Sequence, residues 1–103
     1  MKKIILDVRE KDWEIIERIL SNYPYLFYAF GSRVKNKAKK FSDLDLCYKE
    51  AIPDAVVAKI EEEFEESDLP FKVEFINWNQ CSTEFQKMIE KDLVVLIRPN
   101  PAI

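Results

Sequence analysis

The chain has 103 residues, of which 48% are hydrophobic and 34% charged, and its formal net charge is −3. We expect a single domain over residues 1–103 with one modest core, because the composition is that of a globular chain and excludes a disordered one. The absence of histidine excludes His-dependent triads and the common zinc sites, so any chemistry must use carboxylates, hydroxyls, lysines and backbone.

The first half of the chain predicts a helix and two strands. Residues 2–8 form a short strand or an extended lead-in, and residues 12–21 form a helix with one apolar face. An aromatic run over 25–30 predicts a buried strand, which Gly31 ends. A basic loop follows, and the polar–apolar alternation over 43–48 predicts the second strand.

The second half predicts two more helices and two more strands. Pro53 suits the first turn of a helix over 53–66, and residues 71–78 form a third strand. Ser82 can cap a helix that ends near Glu90, with Phe85, Met88 and Ile89 inward, before a last strand over 93–97. We therefore expect an α+β fold of two layers, a mixed β-sheet with helices packed on one face and a ligand on the other.

The only glycine, Gly31, lies between a strand and Ser32. Glycine serves where the backbone needs a positive φ or a close approach, and N–H groups at such a turn can bind phosphate. Alone, this pattern is more typical of an ordinary turn.

Three carboxylates are expected on the open face of the sheet. Asp43 and Asp45 are two residues apart on one strand and so share a face, and Glu74 on the third strand points to the same side. Paired carboxylates suit Mg²⁺, and Glu74 suits a metal ligand or a general base. The alternative is a set of solvated strand residues.

The loop between the glycine and the aspartates carries five positive charges in eight residues, namely Arg33, Lys35, Lys37, Lys39 and Lys40. They can neutralise a triphosphate or its pyrophosphate, and Arg33 and Lys35 are candidate nucleotide-binding residues. A solvated loop is the alternative.

The combined pattern reads GSRVKNKAKKFSDLDL over residues 31–46: Gly-Ser, ten residues, Asp, one residue, Asp. It resembles the GS-x10-DxD signature of the polymerase-beta-like nucleotidyltransferase superfamily. The chain is similar to its minimal nucleotidyltransferases, encoded beside a HEPN-domain partner, over residues 6–97, including LPFKVEFINW around Glu74. Two positions depart from the family pattern: Glu74 replaces the usual aspartate, and Asn36 replaces a frequent glycine.

The resemblance implies a nucleotidyltransferase fold and a Mg²⁺-dependent activity. Gly31 and Ser32 would hold the phosphates of ATP, and Asp43 and Asp45 would ligate Mg²⁺, with Glu74 as the third acid. AMP would pass from ATP to a hydroxyl, as when such proteins modify a tyrosine of a HEPN toxin and act as its antitoxin.

Two other functions stay open. In one, the Glu74 change has cost the chemistry, so that the protein binds nucleotide or neutralises a partner by contact. In the other, the lysine loop binds nucleic acid, which the net charge disfavours.

The remaining features bear on binding partners and on the cellular compartment. The acidic stretch over 61–66 predicts a solvated surface or a docking patch for a basic partner, and Cys47 predicts a packed thiol. Two cysteines without a disulfide framework fit a reduced cytoplasm, and we expect no signal peptide and no membrane span. Whether the protein forms a homo-oligomer stays open.

Overall fold

The computed structural model describes residues 6–97. Its helices and strands lie within two residues of the predicted bounds: α1 (Glu10–Leu20), β1 (Phe27–Phe30), β2 (Leu44–Tyr48), α2 (Asp54–Glu65), β3 (Val73–Asn77), α3 (Thr83–Glu90) and β4 (Val94–Ile97), with a short 3-10 turn at Trp78–Gln80. The predicted lead-in over 2–8 is not a strand at residues 6–8, and residues 2–5 lie outside the described part. Ser82 caps α3 as predicted, its hydroxyl accepting a hydrogen bond from the Phe85 N–H at 3.1 Å.

The four strands form one mixed sheet in the order β3-β2-β1-β4. Strand β1 is antiparallel to both of its neighbours, β2 and β4, whereas β2 and β3 run parallel. A parallel pair needs a crossover connection, which α2 provides between these two strands. The α+β class and the mixed sheet are confirmed.

Helices α1 and α2 pack on the predicted face of the sheet. Ile16 of α1 and Ile60 of α2 are fully buried, together with Leu44 and Leu46 of β2, in one apolar cluster. Burying a side chain of this size stabilises the fold by about 1.5–3 kcal/mol. The alternation of β2 therefore directs its leucines to the core and its aspartates to the opposite face. Within residues 6–97, no helix combines the length and apolar character needed to cross a bilayer.

The third helix differs from the expectation that all helices share one face. Phe85 and Ile89 of α3 pack with Phe30 and Cys47, whose side chains point to the face opposite α1 and α2. The Phe30 and Phe85 rings meet edge to face, with centroids 6.1 Å apart. Met88, predicted to point inward, is 60% exposed, because the narrow stripe of residues 85 and 89 already covers the apolar part of this face.

Candidate active site

The turn after β1 begins at Gly31, whose φ of +88° lies in the region that favours glycine. The N–H groups of Val34 and Lys35 both donate to the Gly31 carbonyl, at 3.0 and 3.2 Å, and the Lys37 N–H donates to the Ser32 carbonyl at 3.0 Å. These bonds form a helical turn directly after the glycine. The first N–H groups of such a turn have no hydrogen-bond partner within it, and N–H groups of this kind can bind phosphate.

Gly31 lies directly against Asp45. A Cβ atom added to Gly31 would stand 2.6 Å from Asp45 Oδ2, closer than any ordinary contact. Glycine is therefore needed at this position for two reasons: the backbone conformation, and the space that the Asp45 carboxylate occupies. This contact joins the two halves of the GS-x10-DxD pattern at one place in the fold.

The sheet aligns the three acids on one face. Asp45 is paired with Phe30 of β1 on one side and with Glu74 of β3 on the other, and Asp43 precedes β2 by one residue. Asp43 and Glu74 are exposed, whereas Asp45 is half-buried. Burial raises the pKa of Asp45, and the nearby charges of Glu74 and Asp43 raise it further. The pairing confirms that Asp45 and Glu74 share one face of the sheet, and the same orientation stays a prediction for Asp43.

These residues fit a divalent cation. The acids supply the hard oxygen ligands that Mg²⁺ prefers. The ion pairs described within residues 6–97 are Arg9–Asp12 and Lys35–Asp92, so no basic side chain in that range is ion-paired to Asp45. A cation would offset the repulsion that raises its pKa. Over the same range no three acidic side chains already converge on one point, so Asp43 and Glu74 would have to rotate toward the ion.

Arg33 does not fit its predicted role in nucleotide binding. Its side chain is buried, and its guanidinium donates hydrogen bonds of 2.7–3.2 Å to four backbone carbonyls, those of Asp7, Lys39, Lys40 and Ser42. The guanidinium also stacks on the Phe71 ring, 3.8 Å from its centroid. Burial lowers the pKa of Arg33, and the nearby acids partly offset that effect. Arg33 therefore fastens the basic loop and fixes the entry to β2.

This role could have been found in the sequence from one signal. Arg33 is the only arginine among the five basic residues of the loop. A planar guanidinium with five donors can bridge several carbonyls, which a lysine ammonium does not do in the same way.

The rest of the loop stays open to solvent. Lys35, Lys37, Lys39 and Lys40 are exposed, and Lys35 Nζ lies 3.1 Å from Asp92 Oδ2 in the turn after α3. Asn36 takes a left-handed φ of 59°, a backbone conformation that asparagine tolerates better than most residues. Lys35 thus lies in the turn that Gly31 begins, and it remains a candidate for phosphate binding.

Cys47 lies beyond Asp45 on the same face, as predicted, and is fully buried. Burial raises the pKa of the thiol to about 11, so the thiol stays protonated at neutral pH. Together with Phe30 and Ile89 it forms an apolar floor that closes one end of the carboxylate face. The interpretation of Cys47 as a packed thiol is confirmed.

Known proteins resemble this chain in sequence and in fold. The sequence model of the family described as "Polymerase beta, Nucleotidyltransferase" matches residues 14–102. "Probable protein adenylyltransferase MntA" of Haemophilus influenzae is 41% identical over 95 residues, covering 88% of this chain and 83% of that protein. A solved structure described as "Crystal structure of the toxin-antitoxin with AMP-PNP" shares the fold with a TM-score of 0.64 and 20% identity, covering 86% of this chain and 75% of that one.

The family match includes the whole segment from Gly31 through Glu74, in which Gly31 contacts Asp45 and Asp45 is paired with Glu74. The chain therefore belongs to the polymerase beta nucleotidyltransferase family, as one of its minimal nucleotidyltransferases.

Proposed function

We propose that the protein transfers AMP from Mg²⁺-bound ATP to a hydroxyl group of a partner protein. The observation that supports the proposal is the contact between Gly31 and Asp45: the turn after β1 lies against a half-buried carboxylate to which no basic side chain of residues 6–97 is ion-paired. A nucleotide triphosphate and its metal ion need these two features side by side.

The residues divide the binding of the substrate between them. The backbone N–H groups at the Gly31–Ser32 turn and the Ser32 hydroxyl would hold the phosphates, with Lys35 adding positive charge. Asp43 and Asp45 would ligate Mg²⁺, with Glu74 within reach as a third ligand. When bound, Mg²⁺ supplies charge neutralisation to the phosphates and polarises the phosphoryl oxygens.

In this proposal Glu74 accepts a proton. The acceptor hydroxyl oxygen forms a new bond to the α-phosphorus of ATP, and the bond from that phosphorus to the β,γ-pyrophosphate breaks. The hydroxyl proton passes to the Glu74 carboxylate, and pyrophosphate leaves with the electron pair of the broken bond. Glu74 suits this role because its side chain is exposed and lies opposite Asp45, where an acceptor can reach both.

The acceptor is proposed from the relatives. The Haemophilus influenzae relative is named a probable protein adenylyltransferase, and the structural neighbour is a toxin–antitoxin bound to AMP-PNP. We extend both features to this chain: its acceptor is a toxin partner, a HEPN-type protein modified on a tyrosine, and the modification silences the toxin.

A second function is a binding module without catalysis. It is favoured by one observation, that Asp43, Asp45 and Glu74 are not already gathered around one point among residues 6–97. In that case the protein binds nucleotide or neutralises its partner by contact alone.

Transfer of label separates the two functions. The protein is incubated with α-labelled ATP, Mg²⁺ and the product of the adjacent gene, beside the Glu74→Gln and Glu74→Asp variants. The enzyme proposal predicts label on the partner, a loss of at least about a hundredfold in rate for Glu74→Gln, and activity retained in Glu74→Asp. An unlabelled partner and no pyrophosphate would support the binding module.

A further inference from the structure

An open groove of about 820 Å³ runs along the outer edge of the sheet beside β3. It begins at the site, where Asp43 and Glu74 line it, and continues over apolar side chains to the C-terminal half of α2. Phe41, at the mouth of the groove, is 66% exposed, which is unusual for a side chain of this size. The groove thus joins the third acid of the site to an apolar surface that protein atoms of residues 6–97 leave uncovered.

The groove is acidic. Glu61 and Glu65, one helical turn apart on α2, line its far end, and Asp43 and Glu74 line its near end. Two bases oppose these four acids: Lys72 in the lining, and Lys40, whose Nζ lies 5.3 Å from the centroid of the Phe41 ring. Because Asp43 and Glu74 would face the metal ion of bound ATP, the far end with Glu61 and Glu65 is the part that attracts a positively charged segment and repels nucleotide phosphates. The turn at Gly31 and the lysine loop, not this groove, carry the features that suit phosphate.

The wall of the groove is β3, an edge strand whose outer side has no strand partner among residues 6–97. Strand β3 is the last strand of the sheet, and the Leu44 N–H donates to the Lys72 carbonyl at 2.8 Å. Because successive backbone groups alternate in direction, those of Val73 and Phe75 point away from β2. An extended peptide can add there as a further strand.

We infer that this groove binds the acceptor: an extended segment of the partner protein, rich in Lys or Arg and carrying an apolar side chain, which adds to β3. This inference rests on the proposed function. The basic side chains of the segment meet Glu61 and Glu65, its apolar side chain packs on Phe41, and its hydroxyl-bearing residue reaches Glu74. Recognition of the acceptor is thereby separated from recognition of ATP.

The test is a charge reversal with a matched control pair on α2 and its C-cap residue. The Glu61→Lys/Glu65→Lys protein is compared with Glu62→Lys/Glu66→Lys, because both pairs are exposed and four residues apart, yet only the first lines the groove. Two quantities are measured with the full-length partner: its dissociation constant without ATP, and the KM values for partner and for ATP during label transfer.

The groove proposal predicts that Glu61→Lys/Glu65→Lys raises the dissociation constant and the KM for the partner at least about tenfold beyond the control, with the KM for ATP unchanged. Phe41→Ser is expected to raise the dissociation constant and the KM for the partner in the same way. Equal partner affinity in the groove and control variants would overturn the proposal. A partner that binds the wild type but receives no AMP refutes the proposed function, and the dissociation constants then decide the groove separately.

Amide exchange tests the added strand directly. Bound partner should slow hydrogen exchange at the Val73 and Phe75 N–H groups, which point outward in the free protein. Unchanged exchange at both amides in the complex would rule out strand addition.

Discussion

Replacing Gly31 by alanine tests the contact between the turn after β1 and Asp45. The left-handed backbone costs an alanine about 1–2 kcal/mol. The new Cβ, 2.6 Å from Asp45 Oδ2, also forces the carboxylate out of its rotamer, at about 0.5–1.5 kcal/mol. Alanine restricts the unfolded chain, which offsets about 0.4–1 kcal/mol. The net loss is about 2 kcal/mol, or a melting temperature lower by roughly 8–16 °C.

A double-mutant cycle separates the two causes. In an Asp45→Ala background the nearest remaining atom of residue 45 is Cβ, at 3.7 Å from the added Cβ, which is an ordinary contact. In this background Gly31→Ala should lower the free energy of unfolding only through the left-handed backbone. The loss should be about 1 kcal/mol smaller than in the wild type. Urea unfolding of the four proteins gives the coupling energy. Equal costs in both backgrounds, within about 0.5 kcal/mol, would refute the contact between Gly31 and Asp45.

Three further predictions use the same unfolding and kinetic assays. Arg33→Lys should destabilise the fold by at least about 2 kcal/mol, because lysine cannot satisfy the four carbonyls; a loss below about 0.5 kcal/mol would contradict the role of Arg33. Lys35→Ala should lower the free energy of unfolding by less than about 1 kcal/mol, since the Lys35 side chain in the ion pair with Asp92 is 48% exposed, yet raise the KM for ATP; an unchanged KM would remove Lys35 from the site. Asp45→Asn should be more stable than the wild type at pH 7.

The difference in stability between Asp45→Asn and the wild type should depend on pH, in the sense given by the pKa shift of Asp45. The pKa of Asp45 is raised in the folded state, so folding favours its protonated form, and the wild type loses stability as pH rises above the ordinary value of 3.8. The advantage of Asp45→Asn should therefore be present at pH 7 and shrink as pH falls toward that value. Urea unfolding of both proteins at several pH values measures it, and a pH-independent difference would contradict the shift.

Local patterns in the sequence predict those parts of the fold that depend on local physics. Alternation along β2 requires its leucines and aspartates to face opposite sides, and the single glycine falls where the backbone takes a positive φ. The parallel pairing of Glu74 with Asp45 follows once both strands are known and the crossover of α2 is accepted.

Features that depend on contacts between distant segments could not be predicted in this way. The burial of Arg33 is set by carbonyls from residue 7 and from the end of its own loop, so charge alone suggested a phosphate ligand. Helix α3 packs on the face opposite α1 and α2 because the apolar side chains of Phe30 and Cys47 lie there. The groove beside β3 arises from the strand order, and only its acidic helix was visible as a candidate docking patch.

The most direct test of the account asks whether the aspartates hold the nucleotide and its metal. Wild type, Asp43→Asn, Asp45→Asn and the control Glu62→Gln are melted with and without Mg²⁺-ATP. A ligand at 100 times its dissociation constant stabilises the folded state by about 2.7 kcal/mol, which is roughly 10–20 °C here. We expect this shift for the wild type and the control, and its near loss in both aspartate variants. Without ligand, both variants should melt at or above the melting temperature of the wild type. A full wild-type shift in both variants would contradict the account.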